Sequence, residues 1–124
     1  MRAALLARDL IIASRIAAAA ERAGVPIIRV DNPADLPPAA DVRLLLVDWG
    51  DRDPHWAALL AKWCAGAPET AQPRVLLFGP HVDLEAHAAA RAAGLGPMVA
   101  RSRLIAVLPN LFDPADRHTP GERR

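Results

Sequence analysis

Short apolar runs separated by longer alanine-rich stretches of helical period constrain this chain more than anything else in it. The runs AALLA (3–7), PIIRV (26–30), VRLLLVD (42–48), RVLLF (74–78) and PMVA (97–100) are each bounded by Gly, Pro or Asp and have strand length. Between them lie stretches predicted to be helical over about 11–23, 54–66 and 83–93, with a last one over 102–112. Gly24 and Gly94 stand where a helix ends in a left-handed residue, and Asp53-Pro54 reads as an N-cap followed by proline at the first helical position. Alternating strand and helix is the pattern of βα units around a parallel sheet. LLLV is the most apolar of the runs and is expected at the sheet's centre.

One connection breaks the pattern. Only the eleven residues 31–41 separate the second and third runs, and Pro37-Pro38 interrupts them, so no regular helix can cover that part of the sheet. The last stretch contains Pro109, so the helix there either kinks or begins at that residue. Residues 1–112 are expected to form one domain. The segment 113–124 (DPADRHTPGERR), with no apolar residue beyond one Ala, is expected to be a flexible tail.

A formal net charge of +1 gives no global field toward nucleic acid or membrane, and the Arg117–Arg124 end reads as solvated rather than as a nucleic-acid arm. Arg8, Asp9, Arg15 and Glu21 interrupt the apolar start short of a membrane span. The single cysteine, Cys64, excludes an internal disulfide, and no His, Cys and acid set has zinc spacing. A cytoplasmic protein is expected. There is neither a GxGxxG nor a Walker-type run, so nothing points to a nucleotide.

In an open parallel sheet, ligands bind outside the carboxyl ends of the strands. The residues that fall there are Arg8, Asp9, Asp31, Asp48 to Asp53, Gly79 to Asp83, and Arg101 to Arg103. Asp48, closing the most apolar strand, is placed equally well to be a nucleophile or metal ligand and to cap the loop that follows. His81 would lie at the mouth of the same crevice, with hydrogen bonding to a backbone carbonyl as the commonest role for such a histidine. Asp9 and Ser102 read as N-caps of the first and last helices. Trp49, Trp56 and Trp63 recur every seven residues. Core packing is the default for them, and a partner or dimer surface beside the shortened connection is the alternative.

Five βα units, a third strand ending in Asp48, the helix ending RAAGLG (91–96) and a basic residue after the fifth strand resemble the receiver domain of bacterial response regulators, over about residues 3–112. The resemblance implies a flavodoxin-like three-layer sandwich with a five-stranded parallel sheet of order 2-1-3-4-5, here with its second helix shortened. It implies further that Asp48 stands at the phosphoacceptor position. The acidic pair that binds Mg²⁺ in the family falls on Arg8 and Asp9 or on Ala7 and Arg8, depending on register, the hydroxyl position on Gly79, and the lysine position on Arg101, followed by Ser102. With these replacements the expectation is a pseudo-receiver that is not an enzyme. It would act through contact with a protein partner, a signalling kinase or an output protein, or as a homodimer, with an Arg pairing to Asp48 and no cofactor. The alternatives are a working phosphoacceptor using Asp48 and Mg²⁺, and a small-molecule sensor using the crevice of Asp48, His81 and Arg101.

Overall fold

The computed structural model describes residues 2–112; the tail expected over 113–124 lies outside the described residues. Five strands, β1 (Ala3–Leu6), β2 (Ile27–Val30), β3 (Leu44–Asp48), β4 (Arg74–Gly79) and β5 (Met98–Ala100), form one all-parallel sheet in the order β2-β1-β3-β4-β5. Four helices complete the described chain: α1 (Leu10–Arg22), α2 (Trp56–Ala65), α3 (Leu84–Ala92) and α4 (Arg101–Leu111). This is a flavodoxin-like α/β architecture, and β3 runs through its middle as its unbroken apolar sequence requires.

Because side chains alternate across a strand, the sheet has two buried faces. Leu5, Leu46, Phe78 and Val99 meet Ile12, Ile16, Leu104 and Leu108 of α1 and α4 on one of them. Leu6, Leu45, Val47 and Leu77 meet Trp49, Trp56, Leu60 and Ala90 on the other. Both α1 and α3 end as their glycines predict. Gly24 and Gly94 adopt φ of 72° and 69°. In each case the glycine N–H returns to one carbonyl of the last turn and the next residue's N–H to another: Gly24 to Glu21 and Val25 to Ala20, then Gly94 to Arg91 and Leu95 to Ala90.

No helix lies between β2 and β3. The connection makes two single 3-10 turns, Pro33–Asp35 and Ala39–Asp41, separated by Pro37-Pro38. Trp63 of α2 leans over the gap, and its Nε1 donates to the carbonyl of Pro37 at 2.7 Å.

Three local expectations are corrected. Helix α2 begins at Trp56 rather than at Pro54, and its N-cap position is His55, because the Asp53 side chain is drawn away to an arginine. Ser102 does not cap α4. Ala100 holds that position without a side-chain bond, and Ser102 lies exposed in the first turn. Helix α4 begins at Arg101, not at Pro109, which falls in its last turns, where the lost N–H disturbs little of the helix.

Candidate functional site at the carboxyl ends of the strands

Asp48 ends β3 as the only buried charged residue of the described chain, with 0% of its surface exposed. It is there because β3 carries the sequence LLLV into the core and the next three residues, Trp49–Asp51, turn tightly over its end. The Arg101 Nη2 lies 3.1 Å from both carboxylate oxygens. Arg101 is the first residue of α4, and its position is set by β5 ending at Ala100, two strands away from β3. Its Nη1 also lies 3.9 Å from an oxygen of Asp9. The guanidinium thus ties the start of α4 to the middle of the sheet and to the start of α1.

Burial pushes the Asp48 carboxyl above the usual aspartate value; Arg101 opposes this, while Asp51 and Asp9 add to it. Desolvation outweighs the ion pair here. A carboxylate whose ionisation costs the native state energy is a feature of sites more than of scaffolds.

Arg8 does not reach Asp48. It forms a two-point pair with Asp53, Nη1 to Oδ1 at 3.3 Å and Nη2 to Oδ2 at 2.8 Å, and its guanidinium carbon stacks 5.1 Å from the centre of the Trp56 ring. The Arg8 guanidinium holds the Asp53 carboxyl below its ordinary value. Asp9 caps α1, Oδ1 accepting from the Ile11 N–H at 2.9 Å.

Gly79, at the end of β4, is closed to any side chain. A Cβ there would sit 2.8 Å from the Met98 sulfur and 2.9 Å from the Gly50 backbone nitrogen, and one on Gly50 would sit 2.6 Å from Cδ of Pro80. The two glycines let the turn after β3 pack against the end of β4. A hydroxyl at this position would have to displace backbone.

His81 is exposed, and its carbonyl accepts from Nε2 of His87 at 2.8 Å, so it is the histidine of the following helix that makes the backbone bond. Trp49 and Trp56 are 0% and 1% exposed and belong to the core, which removes them as partner surfaces. Trp49 Nε1 donates to the Ala86 carbonyl at 2.9 Å, and Arg52 covers its ring and donates to its carbonyl. Trp63 alone is partly open, beside a groove of about 370 Å³ that Pro33, Pro38 and Leu59 also line.

The structure therefore brings together Asp48, Arg101 and Asp9 from the residues singled out, sets Arg8 apart with Asp53, and leaves His81 and Ser102 outside. Sequence reasoning missed Asp53 as the partner of Arg8 and Gly50 as the partner of Gly79. The Gly50 immediately after Asp48-Trp49 was the available signal, since a glycine there permits close backbone approach.

Among the described residues no group of His, Cys, Asp and Glu is placed to hold a metal ion, and no helix is long and apolar enough to cross a membrane. No family model matches the chain, and no curated protein matches it.

Proposed function

We propose that the protein is a regulatory module of receiver type that acts by protein contact and has lost phosphotransfer. The observation that carries this reading is the Arg101 guanidinium on both oxygens of the buried Asp48. A carboxylate that is to accept a phosphoryl group must present an oxygen in line with the donor, with positive charge nearby to balance what arrives. At Asp48 both oxygens already accept from an internal cation. Gly79 supports the same reading, because the place for a hydroxyl that would contact a phosphoryl oxygen is filled by the turn around Gly50. The acidic partner for Mg²⁺ is reduced to Asp9, which is engaged by its own helix, and Mg²⁺ requires several oxygen ligands in octahedral array.

Incubating the protein with Mg²⁺ and a small phosphoramidate donor, then measuring intact mass, tests this. No mass change is expected. The gain of one phosphoryl group, localised to Asp48 by its absence in Asp48→Asn, would replace this reading with that of a working phosphoacceptor.

A further inference from the structure

Four buried side-chain nitrogens have no acceptor among the described residues: Trp56 Nε1, Arg101 Nε, and both Nε and Nη2 of Arg74. Trp56 and Arg101 each leave a single N–H, which one water molecule satisfies. Arg74 differs. Its Nε and Nη2 share one edge of the guanidinium and point their N–H bonds in parallel, forming the fork that takes the two oxygens of one carboxylate.

The position of Arg74 adds to the demand for an anion. Arg74 opens β4, and its N–H donates to the carbonyl of Arg43, whose own N–H donates to the carbonyl of Arg2. Three arginines therefore stand side by side on adjacent strands at the amino edge of the sheet, about 5 Å apart from strand to strand. Like charges on neighbouring strands repel one another. The ion pairs among the described residues are made by Arg8, Arg29 and Arg101 at the carboxyl edge, so none of them relieves this row. Helix ends do not account for it either. Arg22, Lys62 and Arg91 lie in the last turns of α1, α2 and α3 and answer the negative ends of those helix dipoles, whereas Arg2, Arg43 and Arg74 are on no helix.

We propose that Arg74 is a carboxylate-binding residue, taking both oxygens of one carboxylate on its Nε and Nη2 edge, with Arg43 and Arg2 supplying the surrounding positive potential. The site lies at the opposite end of the strands from Asp48, so it goes beyond the regulatory reading without depending on it. A carboxylate is assigned rather than a phosphate because the edge is buried. The planar monoanion leaves neither an oxygen nor a charge unmatched on a single guanidinium, whereas a phosphate brings further oxygens and a second charge into the same buried place. Two sources supply such a group. Alternation along β4 puts Arg74 on the face of the sheet with Leu76 and Phe78, the face on which Leu111 and Phe112 join the core at the end of α4, and the sequence continues from there through Asp113 and Asp116. The other source is a carboxylate from outside the chain.

Proton–nitrogen NMR of the arginine Nε–H groups in the full chain tests the assignment, with sodium succinate as the probe and sodium chloride and sodium phosphate at matched ionic strength as controls. If the chain supplies the carboxylate, the Arg74 Nε–H signal lies downfield of those of Arg2 and Arg43 before any addition, and replacing Asp113→Asn and Asp116→Asn together moves it back toward them. If the carboxylate comes from outside, succinate moves the Arg74 signal downfield with half-saturation at roughly millimolar concentration, while Arg2 and Arg43 move little. Succinate then also raises the unfolding midpoint of the parent but not that of Arg74→Lys, which keeps the charge and loses the fork. An Arg74 signal that sits with those of Arg2 and Arg43, and shifts no more than they do at concentrations roughly a hundredfold higher, overturns the proposal. So does a downfield signal that survives both aspartate replacements and ignores succinate, or a shift that chloride or phosphate reproduces equally.

Discussion

Removing Arg101 and removing the charge of Asp48 should have opposite consequences. In Arg101→Met the methylenes are roughly kept, but the two 3.1 Å contacts to a carboxylate with 0% exposure disappear. Leaving a buried charge without its partner costs about 3–5 kcal/mol. Because the Arg101 side chain is itself 40% exposed and water can follow it into the crevice, about 2–4 kcal/mol is the expected loss at pH 7. For a domain of this size that lowers the melting temperature by on the order of 10 °C. In Asp48→Asn the buried charge itself is gone, the amide oxygen still accepts from Arg101, and the half-exposed guanidinium keeps its contact with water. Stability should stay within about 1 kcal/mol of the parent and on the favourable side. The pH dependence follows from linkage. The folded Asp48 value lies above its unfolded one, so the native state holds the extra proton, and stability is withdrawn as pH rises through the folded value. Without Arg101 the folded value rises further. The penalty of Arg101→Met should therefore shrink on acidification, and Asp48→Asn in the same chain should remove most of it. Urea unfolding of the four proteins of this cycle between pH 7 and pH 5 measures all of this. A destabilisation of Asp48→Asn equal to that of Arg101→Met would refute the argument that burial outweighs the ion pair.

Gly79→Ser should fail to create a phosphoryl contact and should destabilise the fold by about 1–3 kcal/mol, since its Cβ meets the Gly50 backbone; denaturant unfolding and the phosphodonor assay read the two effects. Trp63→Phe removes the 2.7 Å bond to the Pro37 carbonyl and should cost about 1 kcal/mol, with faster amide exchange confined to residues 31–41 as the distinguishing mark. Burial pushes the Cys64 thiol up, so alkylation by iodoacetamide near neutral pH should be slow in the folded protein and rapid in urea.

The architecture was legible because each layer of signal agreed. Period and length separated strands from helices, Gly24 and Gly94 marked the helix ends, and eleven residues with two prolines left no room for a second helix. What was not legible were the partners. Arg8 and Arg101 are equally plausible counter-ions for Asp48 in sequence, and the choice is made by tertiary geometry. Arg101 leads α4 back over β3, whereas Arg8 is captured by Asp53 and the face of Trp56. That capture also displaced the expected cap of α2, an instance of a long-range pair overriding a local preference. The tryptophan spacing was read as either core or surface. Period alone cannot decide that, because Trp49 lies in the turn after β3 and not on the helix that carries Trp56 and Trp63. The full burial of Asp48 was likewise not legible, because a strand end ordinarily opens to solvent, and here it is closed off beside the turn of Trp49–Asp51.

¹³C NMR titration of the side-chain carboxyls in the parent protein and in Arg101→Met reads both the burial of Asp48 and its pairing with Arg101. Asp48 should titrate above the ordinary aspartate range in the parent and higher still in the variant, while Asp53 titrates below that range in both. An Asp48 signal that titrates in the ordinary range and does not move when Arg101 is replaced would contradict both.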